Sequence, residues 1–237
     1  MIAVFKKEIN AYFSTPFGFI FMGIFLLVSG IVFTTYNLVG RRADIYGMLG
    51  IVCNISITTF PILTMKLLAE ERKMGTDHVL LTSRLSVADI IVGKYLAALT
   101  VLLVTLLANS VYVVILFAYG EPTVGAIVGA YTGFFLLGAA FTAICMFASS
   151  LTENQVTSAI ASFGMLFALV IIGSLSRTVT TPVLRDIINC LAVTKQYEEF
   201  TRGVFRLGPL VYYISFAVGF VFLTIRMVEK RRWSQGG

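Results

Sequence analysis

Read for its apolar and polar positions, the chain alternates long apolar runs with short polar connections. Six stretches, about 17–36, 48–68, 96–119, 125–149, 156–176 and 208–228, are apolar with no charged residue near their centres. A helix rising about 1.5 Å per residue needs about 20 residues to cross a hydrocarbon core about 30 Å thick. Backbone groups in lipid must find partners within their own segment, so the runs predict helices; the alternating strands that a barrel requires are absent. The pattern predicts an all-α integral membrane protein, a single transmembrane domain over residues 1–237 with six transmembrane helices.

The connections have patterns of their own. Residues 2–13 place Ile2, Phe5, Ile9 and Tyr12/Phe13 on one helical face, with Lys6, Lys7, Glu8 and Asn10 elsewhere. This predicts an N-terminal interfacial helix over residues 1–14, lying on the inner leaflet before Pro16 turns the chain into the first span. Residues 69–95 form the largest connection. Gly75 can end one helix, Thr76 can cap a short one through about Thr82, and Ser86-Val-Ala-Asp89 reads as a capping box. The helix it starts, Val87 to Tyr119, has 33 residues, about 50 Å, and should project beyond the bilayer. Residues 177–207 read as two short amphipathic helices. The first begins at Pro182 with Val183, Leu184, Ile187, Ile188 and Leu191 on one face; the second carries Tyr197, Phe200 and Val204, with Glu198 four residues before Arg202. A pair too short to span suggests a re-entrant hairpin or an outer lid, or two helices lying on the headgroups.

Composition agrees with a membrane protein. The chain is 58% hydrophobic and only 13% charged, with a mean hydropathy of +0.91. That is more apolar surface than one soluble core of this length hides. The net charge of +6 comes from basic residues beside apolar runs, which points to topology and anionic headgroups instead of nucleic acid. With the termini inside, 11 of the 18 Lys and Arg fall on the inner side. Lys66, Arg72, Lys73, Arg84 and Lys94 flank the second and third spans, so the positive-inside rule places both termini in the cytoplasm. The basic N-terminus resembles a secretory signal, but its apolar run is too long for a signal core and no small-x-small cleavage site follows, so it reads as a retained first span.

Candidate chemistry is sparse. Cys53, Cys145 and Cys190 form no disulfide framework and no metal spacing, and His78 is the one histidine. The nearest approach to a P-loop, Gly93-Lys94, is followed by Tyr95 where Ser or Thr is needed. No catalytic arrangement and no cofactor or metal site are expected. No span carries the buried charged relay of a proton-coupled carrier, so energy for any transport arrives from outside the membrane. Asn54 and Asn109 read as interhelical hydrogen-bond partners. Pro61 should kink the second span by freeing an upstream carbonyl, which Thr58 or Thr59 can re-satisfy. Gly125, Gly129 and Gly133 form a small-residue stripe for close packing, within the subunit or across a dimer. The charged stretch Glu70-Glu71-Arg72-Lys73-Met74-Gly75-Thr76 reads either as a docking knob for a cytoplasmic partner or as a solvated loop.

An ordered set of motifs then carries a resemblance. It runs from Phe60-Pro61-Ile62-Leu63-Thr64-Met65-Lys66 through Ala69-Glu70-Glu71-Arg72-Lys73-Met74-Gly75-Thr76, Leu80-Leu81-Thr82 and Gly93-Lys94-Tyr95-Leu96. It continues with Ala148-Ser149-Ser150-Leu151-Thr152-Glu153-Asn154-Gln155 and Phe200-Thr201-Arg202-Gly203-Val204. With six spans and this spacing the chain resembles ABC-2-type transporter permeases, most closely the gliding-motility-associated branch. The resemblance implies a dimer of six-helix subunits, homomeric or with a related second permease. Each would have an N-terminal interfacial helix, a cytoplasmic coupling helix between spans two and three, and short outer re-entrant helices before span six. It also implies a separate ATP-binding subunit holding ATP and Mg. Coupling to it falls on Glu70, Glu71, Arg72, Lys73, Gly75 and Thr76, with Thr152, Glu153, Asn154 and Gln155 as a second contact. The implied setting is the cytoplasmic membrane of a prokaryote, in contact with membrane lipids, moving substrate outward. The competing expectation is a non-transporting anchor or mechanical transmitter driven by the same ATPase. An intramembrane enzyme is disfavoured by the lack of clustered catalytic groups.

Overall fold

Proline sets the first corner. Helix α1, Ile2–Ser14, stops at Thr15, whose extended backbone (φ −109°, ψ 157°) is the conformation forced on a residue preceding proline. Pro16 then occupies the first turn of α2, Pro16–Val32, where its missing N–H costs nothing. The computed structural model describes residues 1–69, 86–120, 122–175, 192–201 and 207–235. Helix α2 runs on as a π-helical turn, Phe33–Val39. The remaining helices are α3 Ile45–Thr64, α4 Val87–Asn109, α5 Val111–Tyr119, α6 Val124–Leu151, α7 Gln155–Leu175, α8 Val193–Thr201 and α9 Leu207–Gln235. Among the described residues, six helical stretches are long and apolar enough to cross a membrane: Pro16–Val39, Ile45–Thr64, Val87–Tyr119, Val124–Leu151, Gln155–Ser174 and Leu207–Arg231. Among the described residues there is no strand, and the fold is the all-α membrane architecture that the hydropathy pattern predicts.

Helix α6 is the axis of the bundle: 78% of its span is buried, against 17% for α7, and it packs on α3, α4, α7, α8 and α9. Its small residues, Gly129, Ala130, Gly133, Gly138, Ala140 and Ala143, let five neighbours approach closely, as membrane packing requires where apolar burial alone gives no driving force. An aromatic chain crosses the centre. Phe21 meets Phe60 edge-on at 6.1 Å, Phe60 meets Phe141 at 5.5 Å, Phe25 meets Phe134 at 5.6 Å, and Phe134 meets Tyr197 at 6.3 Å. Outward, Leu107, Val114, Val156, Ile160, Val211 and Val218 remain exposed, the apolar surface that lipid covers.

Two kinds of side-chain hydrogen bond recur inside the bundle. Buried hydroxyls bond back into their own helix: Ser56 to the Val52 carbonyl and Thr105 to that of Val101, both at 2.7 Å. Tyrosine hydroxyls instead cross between elements and donate to backbone carbonyls: Tyr95 to Ala139 at 3.0 Å, Tyr112 to Leu26 at 3.0 Å, Tyr213 to Val193 at 2.6 Å. Asn109 accepts from the Tyr131 hydroxyl at 2.9 Å, an interhelical bond of the kind expected of it. Asn54 is exposed and donates to the Gly50 carbonyl of its own helix at 3.0 Å. Tyr131→Phe should therefore lower stability by about 0.6–1.7 kcal/mol, the range for such bonds in membranes. Unfolding of the detergent-solubilised chain checks it, and a neutral result would mean that the bond contributes nothing.

One expectation about Pro61 fails. Thr58 and Thr59 donate to the carbonyls of Ile55 and Ser56, at 2.6 and 3.1 Å, and so leave the freed carbonyl of Ile57 to other partners. Each threonine reaches back three residues along its own turn, which points it away from that carbonyl. Pro61 also stands only three residues before α3 ends at Thr64, so little helix remains for a kink to redirect.

Candidate functional site

At the end of the bundle that holds the N-terminus, α1 lies against α4. Gly93 allows the approach, since a Cβ there would stand 3.2 Å from the Val4 Cβ. One turn along, Lys94 Nζ reaches Glu8 Oε1 at 2.9 Å, with side-chain exposures of 1% and 13%. The reading of Glu8 as a residue off the packed face is thus corrected, because it turns inward to meet a buried cation. Tyr12 donates to the Leu63 carbonyl at 2.8 Å and ties α1 to the end of α3. Burial, with the Glu8 charge adding, pushes the Tyr12 phenol well above its usual range, so it remains a protonated donor. Lys66, just past α3, lies over the Phe17 ring at 3.2 Å, a cation–π contact to the start of α2.

The connection from α3 to α4 leaves and re-enters this same end. On the way out, the Ala69 amide donates to Ser149 Oγ of α6 at 3.2 Å, and all of that contact is buried. On the way back, Ser86 caps α4: its Oγ accepts from the Asp89 amide at 3.1 Å and donates to Asp89 Oδ2 at 2.8 Å. The candidate coupling residues Glu70, Glu71, Arg72, Lys73, Gly75 and Thr76 lie between these anchors, outside the described residues, as does His78.

The second candidate region, Thr152, Glu153, Asn154 and Gln155, is the turn from α6 to α7. Thr152 and Gln155 are half-buried, whereas Glu153 and Asn154 are exposed. Asn154 has a structural task as well: its Oδ1 accepts from the Val156 amide at 3.1 Å and its carbonyl from the Ser158 amide at 2.8 Å, which starts α7. Arg231 of α9 donates to the Leu151 carbonyl at 3.3 Å beside it. The Ala69–Ser149 bond stands three residues before Thr152, so α6 brings the base of the first candidate region to the second.

The opposite end is concave. A cavity of about 500 Å³ lies between α3, α7 and α8, and its polar lining includes Tyr36, Asn54, Ser174, Thr194 and Lys195. Helix α8 is held over it by the Gly129 and Gly133 stripe of α6: a Cβ on Gly129 would stand 2.6 Å from the Phe200 carbonyl oxygen, and one on Gly133 2.8 Å from the Phe200 Cβ. The stripe therefore serves packing within the chain at these two positions, while Gly125 meets nothing within 4 Å among the described residues. Of the predicted outer pair, the helix from Pro182 lies outside the described residues, as do Cys190, Arg202 and Val204; the second is α8, with Tyr197 and Phe200 buried. Sequence reasoning missed this cavity, and the Glu8–Lys94 pair as well. The signal for the pair was two lone charges beside apolar runs, but nothing local joins residues 86 positions apart.

Comparison with protein families places the chain. A family model described as ABC-2 family transporter protein matches residues 60–228, well over half of the 237 residues. Comparison with curated proteins gave no match.

Proposed function

The chain belongs to the ABC-2 family of transporter proteins, and from that membership we propose that a separate ATP-binding subunit drives it through Glu70–Thr76 and the Thr152–Gln155 turn. As a membrane permease of an ABC transporter it supplies the spans, and the partner supplies ATP, Mg and hydrolysis. The observation that carries the coupling reading is the Ala69–Ser149 bond. A push on the connection after α3 is transmitted directly to α6, the most buried span, and α6 also ends in the second contact region. Force applied there reaches every helix that packs on the axis.

At the far end the same axis supports α8 over the 500 Å³ cavity. In this reading the cavity is the mouth by which cargo leaves, with the termini cytoplasmic and transport outward. The finer placement near the gliding-motility-associated branch rests on the ordered motifs alone. A second copy of the chain, or a related permease, completes the pathway.

Affinity purification from native membranes in mild detergent tests the coupling. The wild-type chain should bring an ATP-binding subunit with it, and a Glu71→Ala/Gly75→Pro variant should lose most of it with the permease still folded by gel filtration. Retention of the ATPase by the variant would remove the docking assignment. Absence of any ATPase from the wild-type preparation would instead count against the driven-permease reading.

A further inference from the structure

A second crevice, about 320 Å³, opens at the rim opposite the N-terminus, between the end of α2 and the end of α5. Its shape begins with the π-helical turn, which widens the helix and turns Asn37 inward to 4% exposure. The Asn37 amide group fastens the loop that follows, donating to the Arg42 carbonyl at 2.8 Å and the Asp44 carbonyl at 2.7 Å. The loop is drawn so tight that Arg41 takes a left-handed backbone (φ 50°), sterically disfavoured for any residue with a Cβ. Gly120 admits it from the other side, since a Cβ there would stand 2.8 Å from that of Ala43.

Two features of this crevice point to a ligand. Arg41 and Arg42 are both exposed at its lip, and Arg42 is oriented by Tyr36, with Nη1 3.1 Å from the hydroxyl and Cζ 4.9 Å from the ring centroid. Asp44 offsets one of the two cations, which leaves a single positive charge. The remaining wall is apolar: Leu38, Ile115 and Tyr119, the first and last exposed toward the membrane boundary.

We propose that this crevice binds a diacyl phospholipid whose phosphodiester headgroup carries one net negative charge, as that of a phosphatidylglycerol does. The phosphate is taken by the guanidinium groups of Arg41 and Arg42, in the charge-assisted geometry that arginine offers. The first methylenes of one acyl chain lie on Leu38, Ile115 and Tyr119. The bound lipid joins span one to span three at the rim, whatever the protein transports.

The test uses the full-length chain, delipidated in detergent, with bound lipids counted by native mass spectrometry. Phosphatidylglycerol should bind about tenfold or more tightly than phosphatidylcholine, which has the phosphate but no net charge. Arg41→Asn, chosen because asparagine tolerates the left-handed backbone, and Arg42→Gln should each weaken phosphatidylglycerol about tenfold, the effect of one charge-assisted hydrogen bond. Lys6→Gln, which removes an exposed cation at the other end, should leave binding unchanged. On the wild-type chain, a phosphatidylglycerol with a diazirine near the head of its acyl chain should label the peptide containing Ile115 and Tyr119. Equal binding of the two lipids, unchanged binding by both arginine variants, or labelling confined to other peptides would overturn the proposal. So would displacement by soluble glycerol 3-phosphate at equal concentration, which would make this a site for a free phosphate ester.

Discussion

Glu8→Ala should destabilise the chain by up to about 3–5 kcal/mol, because it takes from Lys94, whose side chain is 1% exposed, the carboxylate that it meets at 2.9 Å. The reverse change, Lys94→Met, leaves Glu8 alone instead. At 13% exposure Glu8 keeps some access to solvent and headgroups, so this loss should be the smaller of the two. The double replacement Glu8→Leu/Lys94→Met removes both charges and should recover most of the stability, since replacing a buried pair by apolar residues costs less than removing one of its members. Thermal unfolding of the four proteins in one detergent measures the cycle. Equal, small losses in both single variants would mean that water reaches Lys94 and that the pair is a surface contact. A double variant with recovered stability but weakened ATPase coupling would show what the pair is kept for: it makes α1 and α4 move as one body at the face where the partner is proposed to dock.

That pair also marks where the sequence stops being informative. The spans were legible because hydropathy is a local sum over about 20 residues. The start of α4 was legible because Ser86 and Asp89 form their cap within one turn. The turn into α2 was legible because Pro16 acts on its immediate neighbour. Glu8 and Lys94, by contrast, meet only after α1 has folded back along α4, and neither residue's surroundings in the chain name the other. Asn37 is similar. As sequence it is one polar residue near the end of an apolar run; only the π turn shows that it faces inward and fastens the Arg41–Arg42 loop. The charged stretch Glu70–Thr76 has the opposite history: conspicuous in so apolar a chain, it lies outside the described residues, and its role rests on the anchors at Ala69 and Ser86.

The glycine stripe shows how a legible motif can leave its partner open. Gly125, Gly129 and Gly133 announce a close approach without saying what approaches, and the answer is not a second span but Phe200 of the short helix α8. This gives the second large prediction. Gly129→Leu must push against the Phe200 backbone carbonyl, which has no rotamer by which to yield, so α8 has to shift as a unit. Gly133→Leu meets the Phe200 side chain from its Cβ outward, with the same consequence. Overpacking of this kind costs about 1–3 kcal/mol. The shift would also loosen Tyr197, whose ring lies edge-on to Phe134, and the Tyr213 bond to the Val193 carbonyl at 2.6 Å. Because Thr194, Lys195 and Tyr197 line the large cavity, its shape changes as α8 moves. The outcome expected of Gly129→Leu is therefore a permease that still binds the proposed ATPase but with little transport coupled to hydrolysis, while Gly125→Leu, which meets nothing within 4 Å among the described residues, behaves as wild type. Partner retention and ATP hydrolysis in nanodiscs, measured beside vesicle transport once a cargo is known, separate these steps. If Gly129→Leu instead loses the ATPase, the two ends of α6 are coupled through its packing, and the axis transmits strain in both directions.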